Sequence, residues 1–104
     1  MIIAIGPHYS REELRTLGSL LRKRFSGVDN AAVMIFDDAN AARDTRRGYR
    51  IVGAKDFQAA LLHQRAMYLK SRPRGEDSFT IYDPYPTVGE VIRFGEDDFR
   101  GAAR

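Results

Sequence analysis

The stretch that decides the fold is MIIAIGPHYSREELRTLGSLLRKRFSGVDNAAVMIF, residues 1–36. Residues 1–5 and 31–36 are apolar runs that are too short for a helix and that do not alternate with polar residues. Such runs are typical of strands that lie centrally in a sheet or are covered on both faces. With a helix between them they predict a β-α-β unit, which has room for a right-handed parallel crossover.

The helix within this stretch has clear signals at both ends. Ser10 and Glu13 have the three-residue spacing of a capping box, which marks a helix start. Residues 22–24 are all basic and fall in the predicted last turn, where positive charge interacts favourably with the helix dipole. The apolar stripe at helical spacing comprises Leu14, Leu17, Leu21 and Phe25. We therefore predict an amphipathic helix that packs on the two strands.

Residues 38–62 are mostly helical in pattern, but the pattern is broken. An aspartate that is suited to an N-cap precedes several alanines, and Gly48 is placed to end that helix. The next four residues, YRIV at 49–52, are β-like. Helical spacing returns in residues 53–64 through Phe57, Ala60 and Leu61. We predict two helices with a short extended segment between them.

The C-terminal half has the pattern of antiparallel strands. Residues 65–71 and 78–84 are alternating runs, and the residues between them, RPRGED, have the composition of a hairpin loop. Residues 89–94, GEVIRF, form a last short run that predicts an edge strand.

Together these elements predict an α+β domain, a two-layer sandwich in which one mixed sheet carries helices on one face. At this length the chain fits one domain, which we place at residues 1–94. Residues 95–104, GEDDFRGAAR, have the composition of a flexible polar tail.

Composition excludes several classes of protein. The chain has no cysteine, which excludes disulfides, thiolate zinc sites and cysteine nucleophiles and is in keeping with a cytoplasmic location. The first ten residues lack the basic region and the cleavage site of a signal peptide. Because no apolar run has the length of a membrane span, we expect no membrane partner.

Asp37 and Asp38 follow the second predicted strand directly. Carboxylates at that end of a strand are where open α/β sheets place ligands, and a pair of them can hold Mg²⁺. A metal-assisted hydrolase that uses this pair is therefore one hypothesis. The simpler interpretation is that one of the two aspartates caps the following helix, and we favour it.

Signatures of other enzymes are missing from the sequence. It contains no P-loop, no dinucleotide-binding fingerprint and no nucleophile elbow. The histidines, His8 before the first helix and His63 before a strand, have no acid–base partner that the sequence identifies. We therefore favour a non-enzymatic protein without a cofactor, and an enzyme built from dispersed residues remains an alternative.

Basic residues fall into three groups along the chain. If the end of the first helix, the second helix and the hairpin tip lie on one side, these groups would form a surface that binds RNA or another polyanion. Tyr49, Tyr68 and Tyr82 would then offer stacking surfaces. The groups are Arg22, Lys23 and Arg24; Arg43, Arg46, Arg47 and Arg50; and Lys70, Arg72 and Arg74.

The charge changes sign along the chain. Residues 1–75 hold 14 basic and 7 acidic side chains, whereas residues 76–104 hold 3 and 7. The acidic part also contains Tyr82 and Tyr85, which are flanked by prolines and have the composition of a protein interface. The leading hypothesis from sequence is thus a small interaction module that contacts a protein partner or a second copy of itself, with polyanion binding as the alternative.

Overall fold

The computed structural model describes residues 1–94, and the predicted tail at 95–104 lies outside the described residues. The five strands are β1 (Ile2–Ala4), β2 (Asn30–Phe36), β3 (Gln64–Ser71), β4 (Glu76–Tyr82) and β5 (Val88–Arg93). The helices are α1 (Arg11–Arg24), α2 (Ala39–Arg47), α3 (Tyr49–Val52) and α4 (Ala54–Leu61), and a 3₁₀ turn spans Arg72–Arg74. No helix in this described part has the length and apolar composition that would let it cross a membrane.

The strands form one mixed sheet in the order β1-β2-β3-β4-β5. β1 and β2 pair in parallel, with Ile3 opposite Ile35, and all other neighbours pair antiparallel. The predicted β-α-β unit, the β3–β4 hairpin and the edge strand β5 are therefore present. The α+β class with one mixed sheet is confirmed.

α1 begins and packs as its sequence predicts. The Glu13 amide donates to the Ser10 hydroxyl at 3.1 Å, and the Ser10 amide donates to the Glu13 carboxylate at 3.0 Å, which completes the capping box. Leu14 and Leu21 are buried against the sheet, where they join the largest cluster of core residues. The amphipathic stripe therefore faces the sheet, as expected for a helix that covers it.

The segment YRIV is a helical turn, α3, and the β-like prediction for it was wrong. Gly48 and Gly53 bracket this turn with φ values of +90° and +87°, a backbone region that favours glycine. Each glycine separates two successive helices, and residues 49–52 belong to no strand of the sheet. Ile51 in this turn is 70% exposed, so this apolar side chain does not contribute to the core.

The β1–β2 part of the sheet, here called the β1–β2 side, differs from the β3–β5 part in how many of its two faces helices cover. Alternate residues of a strand point to opposite faces, and in β2 Val33 and Ile35 join the cluster under α1 while Met34 and Phe36 point away from it. Around Met34 and Phe36 pack the small residues of α2 and α4. The β1–β2 side is thus covered on both faces, as the lack of alternation in its sequence indicated.

Over β3, β4 and β5 the fold is the predicted two-layer arrangement, with α1 on one face. The opposite face carries Met67, Leu69, Thr80 and Val91, which the registers place side by side. Leu69 is 37% exposed and Val91 is 42% exposed. We refer to these four residues as the open face.

Candidate functional site

A basic cleft of about 570 Å³ lies between the end of α1, the β3–β4 hairpin and the end of β5. Its walls carry four cations and one carboxylate, together with two serine hydroxyls and one aromatic ring. These residues are Arg22, Lys23, Lys70, Arg72, Asp77, Ser19, Ser26 and Phe94. The cleft therefore combines a positive field with hydroxyl donors, a combination that suits phosphate or carboxylate ligands.

The hairpin brings its cations to α1 through contacts with the helix end. Lys70 donates from Nζ to the carbonyl oxygens of Phe25 at 2.9 Å and Ser26 at 3.2 Å. The last carbonyls of a helix have no partner within the helix, so a lysine placed there satisfies them. Both acceptors are neutral carbonyl oxygens, so neither contact forms an ion pair with the lysine.

Arg72 is held at the opposite wall by an exposed ion pair. Its Nη1 lies 3.0 Å from the Asp29 carboxylate, and its backbone amide donates to the Asp29 carbonyl at 2.8 Å. The side chains of Arg72 and Asp29 are 63% and 66% exposed. An ion pair this exposed contributes little stability, about 0–1 kcal/mol, so the guanidinium is able to exchange its partner.

The single carboxylate of the cleft, Asp77, is already engaged. Tyr68 donates its hydroxyl to Asp77 at 2.8 Å, and the Arg22 guanidinium lies 3.5 Å away. Burial raises the pKa of the Tyr68 phenol well above its usual range, and the hydrogen bond to Asp77 adds to that rise. Arg22 also stacks over the ring of Phe94 at 5.0 Å, which fixes the end of β5 beside the cleft.

The structure brings together parts of two of the three predicted basic groups. Arg22 and Lys23 from the end of α1 meet Lys70 and Arg72 from the hairpin. Arg24 follows them in the last turn of α1 and is exposed, and Arg74 is exposed on the 3₁₀ turn. Neither of these two lines the cleft.

The third basic group lies apart from the cleft. Arg43, Arg46 and Arg47 are in α2, which packs on the β1–β2 side, and Arg50 is in α3. Arg46 donates from Nη2 to the Ile2 carbonyl at 2.7 Å, so its guanidinium satisfies a backbone acceptor of the edge strand β1. For this arginine the structure supplies a local role in the fold.

The tyrosines that the sequence analysis named as stacking or interface residues mainly contact other residues of the fold. Tyr68 is fully buried and is therefore not available to stack on a base. The rings of Tyr82 and Tyr85 meet edge to face with centroids 5.2 Å apart, and burial, with a smaller effect of Tyr85, raises the pKa of Tyr82. Tyr49 is 57% exposed and meets the ring of Phe57 edge to face.

The acidic pair after β2 separates into two different contacts. Asp38 accepts a hydrogen bond from the Ala41 amide at 3.0 Å and caps α2, as the simpler interpretation predicted. Asp37 accepts one from Nδ1 of His63 at 3.0 Å, with Arg65 at 3.9 Å. Within residues 1–94 no three histidine, aspartate or glutamate side chains gather as a metal site. His8 is exposed in the loop before α1.

Sequence reasoning missed part of the cleft. Ser19, Ser26 and Phe94 line it, but no motif or spacing distinguishes them from other residues of their kind. The His63–Asp37 contact joins residues 26 positions apart, which no local pattern could indicate. Both depend on the pairing of distant strands.

Comparison with protein-family models, with curated proteins and with solved structures gives no match for this chain. The function proposed below therefore follows from the charges, distances and burial of its own residues.

Proposed function

We propose that this protein binds RNA, or a polyanion of similar charge spacing, in the basic cleft. The observation that carries the proposal is the meeting of Lys23 and Arg22 with Lys70 and Arg72 around one open cleft. These pairs are almost fifty residues apart in the chain, and the only carboxylate lining the cleft within residues 1–94 is Asp77, which Tyr68 and Arg22 already contact. A cytoplasmic location would give the cleft access to such a ligand.

The chemistry of the cleft suits a phosphate backbone. Lysine and arginine bind phosphates, and each phosphate that they neutralise releases condensed counterions, so the affinity falls as salt rises. With Lys23, Lys70 and Arg72 each contacting a phosphate, the slope of log affinity against log salt is expected to be about −2 for a single strand. Ser19 and Ser26 add hydroxyl groups that donate to phosphate oxygens without adding charge.

Paired substitutions test the proposal. Lys23→Ala with Arg72→Ala removes two cations from the cleft, and we expect the affinity for a labelled oligouridine to fall on the order of tenfold at low salt. Fluorescence anisotropy measures that affinity, and retention on heparin gives an independent readout. The control is Arg47→Ala with Arg50→Ala, which removes the same charge from exposed positions of α2 and α3.

The control pair should lose less than about twofold, because it lies outside the cleft and changes only the long-range field. Equal losses from the two pairs, or binding that does not depend on salt, would overturn the proposal.

A second function, contact with a second copy of the chain, is favoured by the open face. Leu69 and Val91 on this face are partly exposed, and the neighbouring edge strand β5 contains no proline. Homodimers with two-fold symmetry are the commonest oligomers, and pairing of two β5 edges would extend both the sheet and its open face. Tyr82 and Tyr85 precede β5 and would lie near such an interface.

Light scattering coupled to size-exclusion chromatography tests this second function. We expect a dimer for the natural sequence and a monomer for Val91→Lys, which places a charge on the open face. Val28→Lys is the matched control, because Val28 is similarly exposed but lies in the connection between α1 and β2. A natural sequence that stays monomeric at the highest attainable concentration would contradict it.

A further inference from the structure

The basic cleft has the size of a site for one small ligand. Its volume of about 570 Å³ lies within the range of about 300–1,000 Å³ that is typical of small-molecule pockets. A surface that binds a long single strand is instead a groove that follows the backbone. Here four cations, Arg22, Lys23, Lys70 and Arg72, line one space of ligand size. The cleft therefore suits one or two charged groups of a polyanion better than a long stretch of it.

Lys70 places one N–H donor at a fixed point of this cleft. A lysine ammonium has three donors. Two of them reach the carbonyl oxygens of Phe25 and Ser26 at 2.9 and 3.2 Å, and these are its acceptors among residues 1–94. The third donor is left for an acceptor on a ligand, and the two carbonyls hold the ammonium in place before that ligand binds. Such preorganisation lowers the entropy that binding costs.

Arg72 lies beside Lys70 and faces the same cleft. Ser71 between them has extended φ and ψ values of −145° and 104°, so the two side chains lie on one face about 6–7 Å apart. The Arg72 amide is held by its hydrogen bond to the Asp29 carbonyl, while the guanidinium can exchange the exposed Asp29 carboxylate for another anion at little cost. The Ser26 hydroxyl lines the same space as a further donor.

The ligand group that suits these donors is a phosphate monoester. Such a group carries a charge of about −1.5 to −2 at pH 7 and three acceptor oxygens, as a phosphorylated side chain does. An internal phosphodiester of RNA carries a single charge. Two cations around one anion favour the more highly charged group, because the Coulomb energy of each contact grows with that charge. In an RNA strand, phosphate monoesters occur only at the ends.

We propose that Lys70, Arg72 and Ser26 form a subsite for the terminal phosphate monoester of an RNA strand. Lys23 then contacts the next phosphate of that strand. The subsite stands on the cleft and its contacts, whereas its occupation by an RNA end rests on the proposed function. A free mononucleotide carries the same phosphate chemistry, and the test below distinguishes it from an RNA end.

Oligouridines that differ only at their ends test the proposal. Unlabelled strands of equal length with a 5′ phosphate, with a 3′ phosphate or with hydroxyl groups at both ends compete against a labelled strand in fluorescence anisotropy. At least one phosphorylated strand should bind on the order of tenfold more tightly than the hydroxyl-ended strand, because hydrogen bonds to a doubly charged group are stronger. A hydroxyl-ended strand that is two nucleotides longer has nearly the same total charge, and it should not show this gain. An equal gain in that strand would overturn the subsite.

One pair of variants locates the preference at the cleft. Arg72→Gln should reduce the preference for the phosphorylated end several-fold. Arg74→Gln is the matched control, because Arg74 is exposed on the same 3₁₀ turn but does not line the cleft. The control should keep the preference within about twofold, since it changes only the long-range field. Both side chains are exposed, so thermal unfolding of both variants should match that of the natural sequence. Equal losses in the two variants would overturn the subsite.

The outcomes separate the subsite from the proposed function. Salt-dependent binding of oligouridine with equal affinity for phosphate and hydroxyl ends keeps the function and overturns the subsite. Uridine monophosphate that binds the natural protein but not Arg72→Gln, without binding of any oligouridine, keeps the subsite and overturns the RNA function. Uridine monophosphate that competes as well as a phosphorylated strand overturns the preference for an RNA end, and no binding of either ligand overturns both proposals.

Discussion

The β1–β2 side and the β3–β5 side of the sheet are stabilised in different ways. On the β1–β2 side, α1 covers one face, and α2 with α4 covers the other through alanines that pack on Phe36 and Met34. On the β3–β5 side, α1 is the helix of residues 1–94 that covers the sheet, and Leu69 and Val91 on the opposite face are 37% and 42% exposed. Within residues 1–94, the first side therefore carries a second core cluster, while the second side carries the open face and the basic cleft. In this described part of the chain the two sides therefore differ in how much of the sheet the helices cover.

The largest expected difference between the sides concerns one buried and one exposed residue. Phe36→Ala removes a fully buried ring from the second cluster and should lower the free energy of unfolding by about 3–5 kcal/mol. Leu69→Ala on the open face should cost less than about 1 kcal/mol, because much of that side chain is already in contact with water. Urea unfolding followed by circular dichroism measures both. Similar losses would remove the distinction between the two sides.

The helix that covers the β3–β5 side, α1, packs closely against the sheet at Gly18. A methyl group at Gly18 of α1 would approach the ring of Phe79 in β4 to 2.7 Å. Gly18→Ala should therefore destabilise the protein by about 1–3 kcal/mol, despite the better helix propensity of alanine. The additional change Phe79→Leu should recover part of the loss in the same unfolding assay. A stabilising effect of Gly18→Ala alone would show that α1 moves freely on this side.

On the β1–β2 side, the second face is covered in part by α2, and α2 begins at the N-cap residue Asp38. Asp38→Ala removes the acceptor for the Ala41 amide and should cost about 1 kcal/mol. Asp38→Asn keeps an oxygen acceptor and should cost a few tenths of that amount. Thermal unfolding of the two variants in parallel checks the prediction. If both variants lose the same stability, the charge of Asp38 matters and its hydrogen bond does not.

The smallest expected effect on stability concerns the ion pair between Arg15 in α1 and Glu90 in β5. Arg15 donates to Glu90 at 2.7 and 2.8 Å, and this hydrogen bond holds the pKa of the Glu90 carboxyl below its ordinary value of 4.5. The ion pair contributes to folding stability above pH 4.5, where Glu90 is charged in both the folded and the unfolded protein. That contribution is lost as the pH falls through the lower pKa that Glu90 has in the folded protein.

The difference in melting temperature between the natural sequence and Glu90→Gln should therefore be small at neutral pH and should vanish in acid. Added salt should reduce it as well, because the pair is partly exposed. A difference that persists at pH values well below 4.5 would mean that glutamine disturbs packing at this position, and the tie between α1 and β5 would not be electrostatic.

Local sequence patterns predicted most of the elements and the fold class. The capping box of α1, the unalternating runs of β1 and β2 and the alternating runs of β3 and β4 each reflect interactions within a few residues or a fixed facing period. The acidic pair was likewise read correctly as a helix cap at Asp38, since capping depends on an amide only three residues away.

Tertiary structure decided what distant residues do together. YRIV became a helical turn because Gly48 and Gly53 redirect the chain, and four residues have too little intrinsic preference to oppose that geometry. The basic cleft exists because the β3–β4 hairpin pairs in a register that brings Lys70 to the carbonyls at the end of α1. Charge along the chain is a property of the sequence, but its concentration in one place is a property of strand order, and strand order is set by long-range packing.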